Sequence, residues 1–87
     1  MPFEFDPAKS ALNRTKHGID FVDAQRIWAD VDRLEIPARS AGEPRFQVIG
    51  RIGDGIWSAF ITYRNEKIRI ISVRRARSNE EEQYLAG

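Results

Sequence analysis

Residues 46–75, FQVIGRIGDGIWSAFITYRNEKIRIISVRR, carry the pattern that decides the fold. Phe46, Val48, Gly50 and Ile52 alternate with Gln47, Ile49 and Arg51 up to Gly53-Asp54-Gly55, a turn sequence that closes a hairpin. A second strand follows from Ile56 to Arg64, turns through Asn65-Glu66, and a third returns from Lys67 to about Arg75. Period-two alternation around two tight turns predicts an antiparallel meander. The last of the three strands breaks the pattern. Ile68, Ile70, Ser72 and Arg74 share one parity, and Arg69, Ile71, Val73 and Arg75 the other, so apolar residues fall on both sides. Strict alternation cannot bring Arg69 and Arg74 to one surface. Either a bulge intervenes, or one arginine serves structure.

Upstream of the meander, Arg33-Leu34-Glu35-Ile36 reads as a short strand running into Pro37, followed by a polar loop through Glu43-Pro44. Before it the period is helical. Asp6-Pro7 supplies an N-cap and a first-turn proline, and Gly18 a left-handed stop, which predicts a helix over about residues 7–17. Ala8, Ala11, Leu12 and Thr15 form its expected packing stripe. Asp20 then caps a second helical segment with Phe21, Ala24, Ile27 and Trp28 on its apolar face, ending near Ala29-Asp30. Phe3-Glu4-Phe5 alternates ahead of the first helix. At the other end, Ser78 or Asn79 is expected to cap a short helix whose first turn holds Glu80-Glu81-Glu82, with Tyr84 and Leu85 as anchors. The resulting expectation is an α+β domain over 1–87, with two N-terminal helices on one face of an antiparallel sheet and a short C-terminal helix.

Composition narrows the chemistry. At 87 residues the chain buries about 60 to 65% of its unfolded surface, enough for one core. It contains no cysteine and one histidine, His17, so thiol nucleophiles are excluded and neither a metal site nor a cofactor is expected. No apolar run approaches the ~18 residues of a membrane span, and Met1-Pro2-Phe3-Glu4-Phe5-Asp6 lacks the features of a secretory signal, so a cytoplasmic setting is expected. Net charge is only +1, but it is segregated. Between Arg45 and Arg77 lie eight bases, seven of them arginine, against only Asp54 and Glu66. Arginine suits bidentate contact with phosphate, so the strand-rich half reads as a nucleic-acid or other polyanion surface, with a solvated basic face as the plain alternative.

The face of the sheet left free by the helices is the natural place for that surface. Thr62 and Arg64 point together at one strand end and make a candidate phosphate-facing pair; a β-forming Thr and a solvated Arg account for them equally. Arg51, Arg69 and Arg74 are further candidates on the strands. His17, beside Lys16 at a helix end, is the only side chain whose ordinary titration suits proton transfer near neutrality. RNA cleavage without a metal needs a base for the 2′-hydroxyl, cations for the charge on phosphorus, and an acid for the leaving oxygen. These residue types can supply that set, though no spacing among them is diagnostic.

The segments Phe3-Glu4-Phe5-Asp6-Pro7-Ala8-Lys9, Asn13 with Lys16-His17-Gly18-Ile19 and Phe21, Arg45-Phe46 with Ile49-Gly50-Arg51, and Ile68 through Ala76 together closely resemble the BrnT toxin family over nearly the whole chain. The resemblance implies a RelE-like fold and a ribonuclease that arrests translation. It also implies a type II toxin–antitoxin operon, in which a BrnA-type antitoxin binds the toxin and engages operator DNA through its own part of the complex. The family pattern matches at Lys16, His17, Arg51, Thr62, Arg64, Arg69 and Arg74. His17, Arg64, Arg69 and Arg74 are accordingly the catalytic candidates, and Lys16, Arg51 and Thr62 the RNA-binding ones. Two other readings use the same residues: a non-catalytic RNA-binding module, and a degenerate toxin retained as a co-repressor with its antitoxin.

Overall fold

A computed structural model describes residues 2–87. Helix α1 spans Pro7–His17; Asp6 Oδ1 accepts the Ala8 N–H at 2.9 Å, and Gly18, at φ 80°, ends the helix in the left-handed region. Strand β2 (Leu34–Ala38), β3 (Arg45–Ile52), β4 (Gly55–Arg64) and β5 (Lys67–Arg75) form the meander and its edge, with Pro37 tolerated because β2 is an outer strand. Asn65 and Glu66 both adopt positive φ in the β4–β5 turn, the geometry that matches the twist of a two-residue hairpin.

The expected antiparallel sheet under two N-terminal helices is not what forms. Phe3–Glu4 is a strand, β1, and it pairs in parallel with β5, so the five-stranded sheet is mixed, in the order β1-β5-β4-β3-β2. A three-residue alternation is too short to announce a strand, and its partner lies more than sixty residues away. The second N-terminal segment is a 3-10 helix over Asp23–Ala29 rather than an α-helix; Val22, not Asp20, occupies its cap position, Asp20 Oδ1 accepts the Asp23 N–H at 2.8 Å from the turn before it, and Ala24 and Ile27 of the expected apolar face are buried. It packs where β3 offers no side chain. A Cβ on Gly50 would lie 2.7 Å from Ile27 Cγ2, so the glycine sets how closely this segment approaches the sheet.

The packing stripe of α1 is also reversed. Ser10 and Asn13 are buried, while Ala8, Ala11, Leu12 and Thr15 face outward. The buried pair is polar because it satisfies backbone groups of the segment after α1 and of β5. Ser10 Oγ accepts the Phe21 N–H at 2.9 Å, and the Asn13 carboxamide donates to the carbonyls of Ile19 and Val73 and accepts the Val73 N–H.

Two cores result. Phe21, Ala24, Ile27, Val48, Ala59, Ile61, Ile70 and Val73 lie between the sheet and the N-terminal segments. On the second face, helix α2 (Ser78–Ala86) brings Tyr84 against Ile49 and Ile56, so this face is partly covered rather than open throughout. Arg77, not Ser78 or Asn79, occupies the cap position, and Leu85 points to solvent at 65% exposure.

Candidate functional site

The register of β5 decides which arginines share a surface. Phe60 pairs with Ser72 but Ile61 pairs with Ile70, so Ile71 is an extra residue in β5. This β-bulge resets parity. Ile68, Ile70 and Val73 all enter the first core, whereas strict alternation would have sent either the two isoleucines or the valine outward. The same reset places Arg69 opposite Thr62, Ser72 opposite Phe60 and Arg74 opposite Ser58, all on the second face. The bulge therefore brings Arg69 and Arg74 to one side of the sheet.

They meet different environments there. Arg74 makes a two-pronged ion pair with Glu80 of α2, Nη1 to Oε1 and Nη2 to Oε2, both at 2.8 Å, and its guanidinium lies 5.2 Å from the Phe60 ring centre. Glu80 also accepts from Gln47 Nε2 at 2.8 Å, Ser58 Oγ at 3.0 Å and the Arg77 N–H at 2.9 Å. Hydrogen bonds from Arg74 above all, helped by those of Arg77, Gln47 and Ser58 and opposed by burial, pull the Glu80 carboxyl down to about 2. The same pairing with Glu80 raises Arg74, against the effect of burial. Arg69 is tied less tightly: Nη1 lies 3.3 Å from Glu4 Oε2, and Glu4 Oε1 is buried without a partner among the described residues.

The remaining candidates separate around these two. Arg64 pairs with exposed Glu43 at 2.8 Å at the hairpin end of β4. Arg64 and the Arg74 partner Ser58 are six residues apart on β4, about 20 Å, too far to grip one phosphate. Thr62 is 1% exposed and donates its hydroxyl to the Pro44 carbonyl at 2.7 Å. Arg51 lies under the far end of α2, 5.7 Å from the Tyr84 ring centre. The Tyr84 hydroxyl donates to Asp30 Oδ2, which raises the phenol. Burial works to raise Asp30, but the Tyr84 hydroxyl and the N–H groups of Arg51 and Asp32 outweigh it and hold the acid below its ordinary value. Lys16 and His17 sit at the end of α1 on a groove of about 400 Å³ whose other wall is Ile71 and Ser72 of β5. Ser72 belongs to the arginine face, so the groove reaches that face around the β5 rim.

Among the described residues, no group of three or more His, Cys, Asp or Glu side chains gathers as a metal-ligand set. No helix is long and apolar enough to cross a membrane among them either.

A family described as the ribonuclease toxin BrnT of type II toxin–antitoxin systems matches residues 5–80. The chain belongs to this family. The match takes in α1, the whole sheet from β2 to β5, the bulge and Glu80. No curated protein matches the chain. Membership makes it a ribonuclease toxin by family, with an antitoxin as its implied partner.

Sequence reasoning missed Glu80, Gln47 and Ser58 as one polar network, reading the first only as a residue of the first turn of a helix. Their signal was a pair of polar residues at second-face positions, Gln47 and Ser58, inside otherwise apolar strands. Buried polar side chains of that kind require partners, and a glutamate three residues into a helix can turn back to supply them.

Proposed function

We propose that the chain cleaves RNA without a metal ion on the uncovered part of the second sheet face and at its β5 rim. The bulge at Ile71 carries this reading, because it aligns Arg69, Ser72 and Arg74 beside the groove that holds His17. The phosphodiester lies over Ser72. Arg69, released from its long contact with Glu4, meets the phosphate oxygens, and Arg74, whose charge Glu80 largely offsets, lines the site as a guanidinium already fixed by Glu80 and Phe60. His17 takes the 2′-hydroxyl proton, the 2′-oxygen attacks phosphorus, and the 5′-oxygen leaves with a proton from solvent, giving a 2′,3′-cyclic phosphate and a 5′-hydroxyl. Lys16, Arg64 and Arg51 extend the surface to flanking phosphates. Thr62 acts at one remove, by holding Pro44 and the loop that carries Glu43 next to Arg64.

In the same reading the partner is a BrnA-type antitoxin, operator DNA is engaged only by the complex, and the activity belongs to the cytoplasm, where translation is the target. The test uses chain purified free of antitoxin and incubated with RNA in EDTA. Cleavage is expected, and Arg69→Ala should lower its rate about 100-fold, the order expected for losing one donor to the charge that develops on phosphorus. Arg69 is the better probe because removing Arg74 also strips a buried carboxylate of its partner. RNA left intact, with no growth arrest on induction, would overturn the reading; RNA bound but uncut would favour a non-catalytic module.

A further inference from the structure

The outward face of α1 has the composition of an interface. Leu12 is 68% exposed, and Ala8, Ala11 and Thr15 are exposed around it, although α1 has a partly polar surface turned inward. Ile71, displaced by the bulge, and Leu12 both line the groove between α1 and β5. Lys9 and Lys16 flank Leu12 on the same helix side, two turns or about 10 Å apart, and α1 contains no acidic residue. Apolar floor and cationic rim therefore coincide in a single groove.

We infer that this groove receives an acidic amphipathic helix of the antitoxin, seated with an apolar side chain on Leu12 and Ile71 and carboxylates near Lys9 and Lys16. Strand addition to β5 is not the mode. Beyond Arg69 the outer edge of β5 has lost β1, but the Asn13 carboxamide already takes both the N–H and the carbonyl of Val73, so a new strand would have to displace it. A helix needs only side-chain contacts, and its carboxylates seven residues apart match the spacing of the two lysines. A nucleic acid would use the lysines but leave Leu12 and Ile71 without a role. Naming the partner an antitoxin rests on the ribonuclease-toxin reading above. On that reading the docked helix also lies over Lys16 and His17, and so blocks RNA at the rim.

Binding of the full-length antitoxin encoded with the chain tests this, measured by calorimetry with no RNA present. Leu12→Arg should weaken the affinity about tenfold or more, as expected for losing a central apolar anchor. Lys9→Glu should weaken it and flatten its salt dependence. Leu12 has no role in the RNA-cleaving machinery, so free Leu12→Arg chain should cleave RNA as the wild type does. Growth arrest by that variant should then no longer be relieved by the antitoxin. Unchanged affinity in both variants, with wild-type thermal melting, would overturn the proposal. A wild-type chain that binds no antitoxin would overturn it too, as would a self-dimer whose light-scattering mass Leu12→Arg halves. Loss of RNA cleavage in the wild type would sink the ribonuclease reading while leaving the affinities to decide the groove.

Discussion

Arg74 with Glu80 and Arg64 with Glu43 are the same ion pair by distance, 2.8 Å each, and opposite by setting. The side chains of the first pair are 21% and 9% exposed, those of the second 45% and 40%. The buried carboxylate gathers Gln47, Ser58 and the Arg77 N–H besides its arginine, whereas the exposed one competes with water for a single contact. A charged contact therefore matters by the number of groups that depend on it, not by its length. For Arg74 the consequence is a fixed guanidinium on the sheet face; for Arg64 it is a cation free to exchange Glu43 for water.

The contrast can be broken from either side. Glu80→Ala should have the largest effect, destabilising the protein by about 3 to 5 kcal/mol in denaturant melts, because it leaves a largely covered arginine, a buried amide and a buried hydroxyl without their acceptor. Equal melting of the Glu80→Ala and wild-type chains would show that the Glu80 network contributes nothing to stability. Gly50→Val comes next, at about 1 to 3 kcal/mol, since its side chain meets Ile27 Cγ2 and the 3-10 segment has to move outward. This separates packing on the first face from charge on the second. Acid sharpens the comparison further. Glu80 is held at about 2, below its ordinary value of 4.5, so its contribution is present above about pH 4.5 and is lost as pH falls toward 2. Glu80→Gln should remove that part of the acid dependence; Glu43→Gln should leave it in place. The smallest effect is expected for Glu43→Ala, under about 1 kcal/mol, as for other exposed pairs.

The elements were largely legible before the structure, for local reasons. Caps at Asp6 and Gly18 bounded α1, and Gly53-Asp54 and Asn65-Glu66 placed the two hairpins, because each signal acts on neighbouring backbone. The site was legible only in part. Arginine enrichment pointed to the strands and to the conflict in β5, yet Arg69, Arg74 and the groove of His17 came together through a bulge that no local rule places. The polar stripe of α1 was misassigned for a related reason. Leu12 is the natural residue to bury by hydrophobicity, but Asn13 can satisfy the edge of β5 at Val73 and Leu12 cannot.

By itself, then, the sequence determined the succession of helix, meander and terminal helix and the concentration of positive charge on the strands, since both follow from short-range periodicity and composition. Only the tertiary structure decided that Phe3–Glu4 joins β5 in parallel, that Ile71 is the residue left over, and that Glu80 returns to Arg74. These are choices among distant partners, made by burying Ile68, Ile70 and Val73 together while leaving few polar groups unpaired. Such a balance is a property of the whole molecule, and it is what put two arginines of one irregular strand on the same face.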